Sequence, residues 1–376
     1  MQYSKYTQGA IVAFAFLALL ISPPPAIAQK RLKAKDVLAT MERVANWQLK
    51  TWQQQGSRHP WWDWTNAAGY TGLYALSTYS KNKAYDAVLQ EKGNLMGWQT
   101  GPRRFHSADY CVGQTYALMY MRHRRPEMIA AFKAQADSIV AAPFNESLEW
   151  KNNIADREWA WCDALFMGPT SLAYLSTATG NTRYLDKALQ LWWKTTDYLY
   201  DASEKLYFRD GSFLNKKEKN GQKVFWSRGN GWVFAGLVRV LQNMPANHPQ
   251  RPRMIQLYKD MASRLVTLQQ QDGSWRASLL DAASYPTPEM SGTAFFTYGF
   301  MWGINNRILD AGTYYFPAER GWRALVAAIQ PNGMLGYVQP IGAAPDKVTA
   351  NSTEIYGVGA FLLAGTEMYK WLKAIP

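Results

Sequence analysis

Two kinds of helical segment alternate along the chain, and this alternation is the feature that most restricts its fold. Segments of the first kind are apolar around most of their circumference and marked by small residues, and they occupy 67–80, 112–121, 165–178, 231–241, 292–304 and 356–372. Their starts lie about 45 to 65 residues apart, the spacing expected when two helices and their loops form one repeat. A helix that is apolar on most sides has to be buried on most sides. These segments therefore predict an inner layer of helices.

The second kind of segment carries apolar residues at helical spacing on one face and charged residues on the other. It occurs at 34–55, 82–92, 125–142, 182–200, 252–271 and 319–329. Such helices bury one face and expose the other, so they predict an outer layer. Six inner and six outer helices in alternation predict an all-α fold, an (α/α)6 barrel of six helical hairpins. The segments that precede the inner helices should then gather at one end of the ring, where a cleft would form.

The first 28 residues have the pattern of a cleaved signal peptide. A short polar start with Lys5 is followed by an apolar run from Ala10 to Ile21 and by the small-residue ending Ala26-Ile27-Ala28. That run is shorter than the roughly 20 residues that span a bilayer, and no later segment is long and uncharged enough, so no membrane span is expected. We predict a periplasmic or secreted protein with a single catalytic domain over residues 29–376, because no Pro/Ser-rich linker interrupts them.

The formal net charge of +13 favours anionic partners. Nucleic acid is not expected, because the basic residues are scattered and their densest runs, 121–125 and 215–223, have the character of solvated loops or helix ends. The two cysteines, Cys111 and Cys162, are too few for a disulfide scaffold, and one disulfide or two buried thiols are equally compatible with the pattern. The four histidines show no metal-ligand spacing, so no metal site is predicted.

The segments directly before the inner helices are dense in Trp, Arg, His and acidic residues. They are 58–66, 104–114, 157–163, 225–232, 284–292 and 349–357. A loop that only reverses the direction of the chain does not require such residues. A shared cleft at one end of the barrel accounts for them better than chance.

Asp163 is the most conspicuous member of this set, because it is an acid placed between two tryptophans and a cysteine on one side and an apolar run on the other in REWAWCDALFMG (157–168). The plainest role for it is an N-cap or first-turn acid of the third inner helix. The other role is a catalytic acid in an aromatic-walled cleft, where desolvation raises the pKa of a carboxyl.

Asp109 opens the second inner helix in an equivalent place, beside Cys111, and it too could be a helix cap. Two carboxylates that face one cleft are the usual equipment of glycosidic chemistry. Arg228, within WSRGNGW (226–232), predicts a fork for a carboxylate or phosphate, with an ion pair to one of the two aspartates as the alternative.

Five segments resemble those of the unsaturated uronyl hydrolases of glycoside hydrolase families 88 and 105, with the closer likeness to family 105, whose members include rhamnogalacturonyl hydrolases. They are HPWWDWTN (59–66), HSADYCVGQ (106–114), WCDALFMGP (161–169), FWSRGNGWVFAGL (225–237) and LQQQDGSWRASLLD (268–281). The likeness spans nearly the whole mature chain in the family's order. It implies an (α/α)6 barrel that removes a 4,5-unsaturated glucuronyl or galacturonyl unit from the non-reducing end of fragments left by a polysaccharide lyase. It implies no metal or organic cofactor.

The resemblance also assigns roles to residues. Asp163 matches the general acid and base, and Asp109 matches the aspartate that helps to hold the sugar and to tune the first. One departure concerns LYFRDGSF (206–213), where the family commonly has a histidine after a Leu-Tyr pair and this chain has Arg209, so a substrate contact is expected to differ. The predicted substrate contacts are Trp64, His106, Trp161, Arg209, Trp226 and Arg228.

The expected chemistry follows from the substrate. The C4–C5 double bond makes the sugar an enol ether, so Asp163 is expected to protonate C4 and, as carboxylate, to help deliver water to C5. A polysaccharide lyase or an ordinary two-carboxylate glycosidase on the same toroid is the alternative, and a sugar-binding protein is the third hypothesis. A lyase needs a Tyr, His or Lys base beside an arginine, and His106 with Arg104 keeps that alternative open.

Overall fold

The computed structural model describes residues 31–375. The described chain contains twelve α-helices, and each odd-numbered helix packs against an even-numbered one. They are α1 Ala34–Gln55, α2 Trp64–Ser77, α3 Ala84–Leu95, α4 Gly113–His123, α5 Glu127–Ala141, α6 Ala164–Thr179, α7 Arg183–Leu199, α8 Ser227–Asn243, α9 Arg251–Thr267, α10 Met290–Asn305, α11 Ala311–Ala327 and α12 Ile355–Ala374.

The even-numbered helices form a closed inner ring. α2 packs against α4, α4 against α6, α6 against α8, α8 against α10 and α10 against α12, and α12 returns to α2. α3, α5, α7, α9 and α11 each pack outside the inner helix that precedes them, and α1 packs outside α12. From Lys33 onward, this barrel forms one compact unit. The predicted (α/α)6 barrel is confirmed.

Burial separates the two layers as the sequence predicted. Every residue of α10 from Met290 to Ile304 is buried, because an inner helix is surrounded by two ring neighbours and one outer helix. α9, in contrast, buries only one stripe of side chains: Met254, Leu257, Tyr258, Met261, Ala262 and Leu265. An apolar stripe on an otherwise polar helix is what an outer position requires.

Ring closure depends on two glycines at the contact of α2 with α12. A Cβ on Gly72 would overlap the backbone of Gly359, and a Cβ on Gly359 would overlap the carbonyl of Ala68. The two backbones are therefore too close for any side chain between them. The first and last helices of the ring meet through this contact.

Short antiparallel pairings tie together the loops at the end of the barrel where the inner helices begin. β1 (Tyr200–Asp201) pairs with β2 (Leu206–Tyr207), and β3 (Trp275–Arg276) pairs with β4 (Pro288–Glu289). Single bridges join Trp161 to Asp210 and Trp226 to Ser278. These pairings fix the segments that precede α6, α8 and α10 relative to one another.

The helix boundaries follow the sequence periodicity closely, with one clear error. α1 spans 34–55 as predicted, whereas α11 begins at Ala311 and not at 319. Pro317 lies inside α11, where a proline usually marks a helix boundary. The helix starts before it because the Asp310 side chain accepts from the backbone N–H of Thr313 and caps the first turn.

The predicted signal peptide, residues 1–28, lies outside the described residues. No helix of the described chain is both long enough and apolar enough to cross a membrane. Both cysteines, Cys111 and Cys162, are free thiols in the core. Residues 31–375 contain no group of His, Cys, Asp or Glu side chains close enough together to hold a metal ion.

Candidate active site

Asp163 sits immediately before α6, as the sequence predicted. Its backbone is already helical, but its side chain makes no capping bond to the helix. The carboxyl is 7% exposed and has one side-chain partner, the Cys162 thiol, whose Sγ donates to Oδ2 at 3.4 Å. The carboxyl is therefore not used as a helix cap and is free to act on a ligand.

Burial raises the pKa of the Asp163 carboxyl above its ordinary value. The guanidinium groups of Arg209 and Arg228 act in the opposite direction and limit the rise. Burial therefore favours the protonated carboxyl, while the two guanidinium groups stabilise the carboxylate that forms once the proton has been donated. Such a group can donate a proton and take it back.

A cavity of about 300 Å³ contains this acid at the end of the barrel where the inner helices begin. Of the eight residues predicted for the site, seven line it: Trp64, His106, Trp161, Asp163, Arg209, Trp226 and Arg228. They come from the segments before α2, α4, α6 and α8 and from the loop after β2. The structure thus brings together in one place side chains that are widely separated in sequence. We call it the Asp163 cavity.

Aromatic rings form much of the wall of the Asp163 cavity. Trp64 stacks on Tyr356 with ring centroids 5.3 Å apart, and Trp161 lies 5.0 Å from the His106 ring. The indole N–H of Trp226 donates to Gln339 Oε1 at 2.9 Å, which fixes the orientation of that ring. Flat apolar walls with a few oriented polar groups are typical of ligand sites.

Arg228 is held by the main chain rather than by an aspartate. Its Nη1 donates to the carbonyl of Gln339 at 2.6 Å and its Nη2 to the carbonyl of Pro340 at 2.9 Å. The guanidinium lies 4.3 Å from the Trp226 ring centroid and 5.1 Å from that of Tyr356. Within residues 31–375 no carboxylate forms an ion pair with it, so the predicted pair with Asp109 or Asp163 is not seen.

Asp109 is the one predicted residue that does not line the Asp163 cavity. It belongs to a short 3-10 turn before α4, is 1% exposed, and accepts from the backbone N–H of Arg103 at 2.8 Å and from Arg103 Nη2 at 2.5 Å. His106 Nδ1 lies 3.8 Å from Asp109 Oδ1, beyond hydrogen-bond distance, so the aspartate stands behind the His106 side of the cavity wall. A direct part for Asp109 in the chemistry stays a prediction.

His106 is neutral near pH 7. Burial and the nearby Arg103 lower the pKa of its imidazole to about 4. Its Nδ1 is buried without a hydrogen-bond partner. A neutral imidazole adds no charge to the cavity.

Arg209 is positioned by pairing with the strand that carries the acid. The backbone N–H of Cys162 donates to the Arg209 carbonyl at 2.8 Å. The guanidinium lies 4.6 Å from the Trp150 ring centroid and forms an ion pair with Asp210, Nη1 to Oδ2, at 2.5 Å. Asp210 is 1% exposed.

The sequence analysis missed two parts of this site. Trp150 comes from the long loop after α5, and Ile341 and Gly342 come from the loop between α11 and α12. The segment considered before the sixth inner helix was 349–357, whereas the residues that reach the cavity lie near 340. A tryptophan beside Glu146 and Glu149 in a long loop could have drawn attention to Trp150, but nothing in the local pattern points to Ile341.

Comparison with known proteins places this geometry in context. The sequence profile described as glycosyl hydrolase family 88 matches residues 40–372. A protein of Formosa agariphila described as an unsaturated 3S-rhamnoglycuronyl hydrolase is 36% identical over 361 residues, covering 91% of this chain and 93% of that protein.

Two solved structures share the fold. One, from Bacteroides vulgatus and described as glycosyl hydrolase family 88, is 32% identical with a TM-score of 0.81, and the match covers 90% of this chain and all of that one. Another, described as a polysaccharide lyase, is 31% identical with a TM-score of 0.83, and the match covers 91% of this chain and 99% of that one.

Proposed function

Since the chain belongs to glycosyl hydrolase family 88, we propose that Asp163 is the acid of an enzyme that removes 4,5-unsaturated uronic acids from the non-reducing ends of oligosaccharides. The chain is a glycoside hydrolase. Its substrates are the unsaturated fragments that polysaccharide lyases release. The family resemblance deduced from the five sequence segments and the family match agree.

The observation that carries this proposal is the state of Asp163. It is a buried carboxyl with a raised pKa, free of capping bonds, in a cavity walled by aromatic rings. An ordinary glycosidase uses two carboxyl groups that flank the scissile bond. Among the residues lining the Asp163 cavity, Asp163 is the sole carboxyl. One acid suffices for adding water to an enol ether.

The proposed reaction begins with transfer of the Asp163 proton to C4 of the unsaturated sugar. Positive charge then develops at C5 and the ring oxygen, and the Asp163 carboxylate accepts a proton from the water that attacks C5. The product is a hemiketal at C5. It opens to a ketone, and the hemiacetal left at C1 expels the neighbouring sugar as an alcohol. The acid is regenerated, as general acid–base catalysis requires.

We propose rhamnose as the sugar next to the unsaturated uronate. The Formosa agariphila relative is described as acting on a 3S-rhamnoglycuronyl unit, and its match spans nearly the full length of both chains. The formal charge of +13 suits an acidic oligosaccharide.

A polysaccharide lyase is the second candidate, because one structure of similar fold carries that description. A lyase needs a base beside an arginine. His106 is neutral and could accept a proton, and Arg209 and Arg228 line the same cavity, whereas Arg104 is exposed and lies outside it. The family match and the raised pKa of the Asp163 carboxyl separate the two candidates. The hydrolase is favoured.

The direction of an absorbance change tests the proposed function. Lyase digests of pectin, ulvan, heparin-like chains and arabinogalactan contain conjugated enoates that absorb in the ultraviolet. A hydrolase makes the absorbance of at least one digest fall, with release of a keto acid. A lyase makes the absorbance of an undigested polysaccharide rise, and a binding protein changes neither, so either of those results rejects the proposal.

We also propose that residues 1–28 direct export and that the mature protein acts in the periplasm or outside the cell. The support is the charged start, apolar run and Ala26-Ile27-Ala28 ending. Sequencing the amino terminus of the protein secreted by its host should give Gln29 first. A start at Met1 would contradict export with cleavage.

A further inference from the structure

The two arginines of the Asp163 cavity differ in how much of each remains available to a ligand. Arg228 is 1% exposed, and both of its terminal nitrogens donate to backbone carbonyls. A ligand cannot reach that fork unless the loop at Gln339 and Pro340 moves. Arg228 is therefore a structural clamp that also contributes a positive charge.

Arg209 is the accessible one. Its side chain is 17% exposed and its Nη1 pairs with Asp210, while its Nη2 makes no hydrogen bond within residues 31–375. Its Nε is buried without a partner, as is the Nε of Arg228, so Nε does not distinguish the two. The guanidinium carbon lies 4.6 Å from the Trp150 ring centroid. Nη2 is therefore the donor of Arg209 that a ligand carboxylate can reach.

The charges around the Asp163 cavity leave one positive charge without a partner. Arg209 and Arg228 are cations, and Asp210 is the anion paired with Arg209, so the unpaired charge is that of Arg228. Because Arg228 is 1% exposed, a ligand carboxylate drawn by this charge meets the exposed part of Arg209 first. Asp163 is neutral when it is ready to donate its proton, and His106 is neutral as well. Asp109 is paired with Arg103 and lies behind the wall of the Asp163 cavity. One carboxylate on the ligand would complete the balance.

We infer that Arg209 binds the C5 carboxylate of the unsaturated uronic acid, while Arg228 acts as a positioning residue that holds the 339–340 loop. This inference rests on the proposed function, and it assigns the recognition of the substrate's charge to a residue on the loop after β2. A planar guanidinium matches a carboxylate well, and charge-assisted bonds of this kind are about twice as strong as neutral ones. The Trp150 ring and Asp210 both contact this guanidinium and limit its movement.

The test compares two substrates that differ only in charge. One is an unsaturated uronide with a free carboxylate, and the other is its methyl ester, which keeps the conjugated double bond that the absorbance assay follows. Arg209→Gln should lower kcat/KM for the acid about 100-fold, the order expected from losing a charge-assisted ion pair, and for the ester by no more than about 3-fold. Arg228→Gln should lower kcat/KM for both substrates by the same factor.

Arg104→Gln is the matched control, because Arg104 is exposed and lies outside the cavity. It should leave kcat/KM unchanged for both substrates. Should Arg209→Gln fail to fold, Arg209→Lys keeps the charge and loses the fork, and it should lower kcat/KM for the acid about 10-fold and leave the ester unaffected.

Equal losses on acid and ester for the Arg209 variants would overturn the inference, because they would mean that Arg209 acts through Asp163 or through the fold. Full activity of Arg209→Gln on the acid would overturn it too. A wild-type protein that consumes neither substrate would reject the proposed function itself, a result that does not depend on any variant.

Discussion

A buried acid at residue 163 affects both catalysis and stability. Burial raises the pKa of Asp163, so the folded state favours the protonated carboxyl. A group with a raised folded pKa contributes its stability below the unfolded pKa and loses it as pH rises through the folded pKa. The native protein therefore bears a cost near neutral pH that an uncharged side chain would not. Active sites commonly carry such a cost.

Asp163→Asn should for this reason raise the stability of the protein near pH 8. We expect the free energy of unfolding to increase by about 1 kcal/mol, the size common for changes that relieve strain at a functional site. The gain should shrink as pH falls below the folded pKa, where the wild-type carboxyl is neutral. Thermal unfolding of both proteins across pH measures it. A lower stability of the variant at pH 8 would contradict the assignment of a raised pKa.

The raised pKa of Asp163 should also appear in the pH dependence of kcat/KM. Protonated Asp163 is the donor, so kcat/KM should fall as pH rises through the raised pKa of the free enzyme. His106 should add no step above about pH 5, because its pKa is lowered to about 4. His106→Gln should lower kcat/KM without changing the pH at which kcat/KM falls on the alkaline side. An alkaline limb that shifts in this variant would show that His106 and not Asp163 sets it.

At the scale of elements, one glutamine joins three parts of the site. Gln339 accepts from the Trp226 indole, and its carbonyl accepts from Arg228 and from the Tyr356 hydroxyl. Its backbone N–H donates to Glu289 Oε1 at 3.0 Å. The starts of α8, α10 and α12 are thus held together by a residue from the loop after α11.

Gln339→Ala should leave the buried Trp226 N–H without a partner. We expect a loss of about 2 kcal/mol in the free energy of unfolding and a higher KM, because Trp226 lines the Asp163 cavity. Urea titration and absorbance kinetics measure the two effects. Gln256→Ala, at an exposed position of α9, is the control and should change neither. Equal stability of the two variants would mean that Gln339 is not holding the loop.

The sequence was most informative about helices and least informative about long loops. Apolar periodicity gave twelve helices with boundaries mostly within a few residues, because burial on one side or on all sides dictates composition. It failed at the start of α11, where a cap at Asp310 prevails over Pro317. Asp163, Trp161 and Trp226 were found because they stand just before inner helices, and Arg228 because it lies in the first turn of one.

Residues that reach the site from a distance could not be found in this way. Gln339 lies sixteen residues before α12, and only the closed ring brings it to Trp226. For Asp109 the position was predicted from the sequence and the partner was not. It stands at the predicted position before α4, yet its carboxylate turns to Arg103, a partner six residues earlier that the local pattern does not indicate.

For the whole molecule, closure of the ring is the critical requirement, because the site is assembled from loops of different hairpins. α12 meets α2 at Gly72 and Gly359, where no side chain fits. Opening this contact would separate Trp64 at the start of α2 from Tyr356 at the start of α12, two rings that stack across the closure.

Gly359→Ala should destabilise the barrel by about 3 kcal/mol, since its methyl group would overlap the carbonyl of Ala68. Activity should fall in parallel with the folded fraction. Gly312→Ala, at the start of α11, is the matched control, because its methyl group would meet no backbone and would come no closer than 3.1 Å to the Asp310 carboxylate. Thermal unfolding of both variants measures the difference in their stability. A Gly359 variant as stable as the Gly312 variant would show that closure does not depend on this contact.

The central claim is that one buried acid, Asp163, adds water to the double bond of an unsaturated uronide. The most direct test is ultraviolet absorbance of such a substrate with wild-type protein and with Asp163→Asn, both shown by circular dichroism to be folded. We predict that absorbance falls with the wild type and that the variant loses at least about 1,000-fold in kcat, as expected when the proton donor is removed. Substantial turnover by the folded variant would contradict the claim.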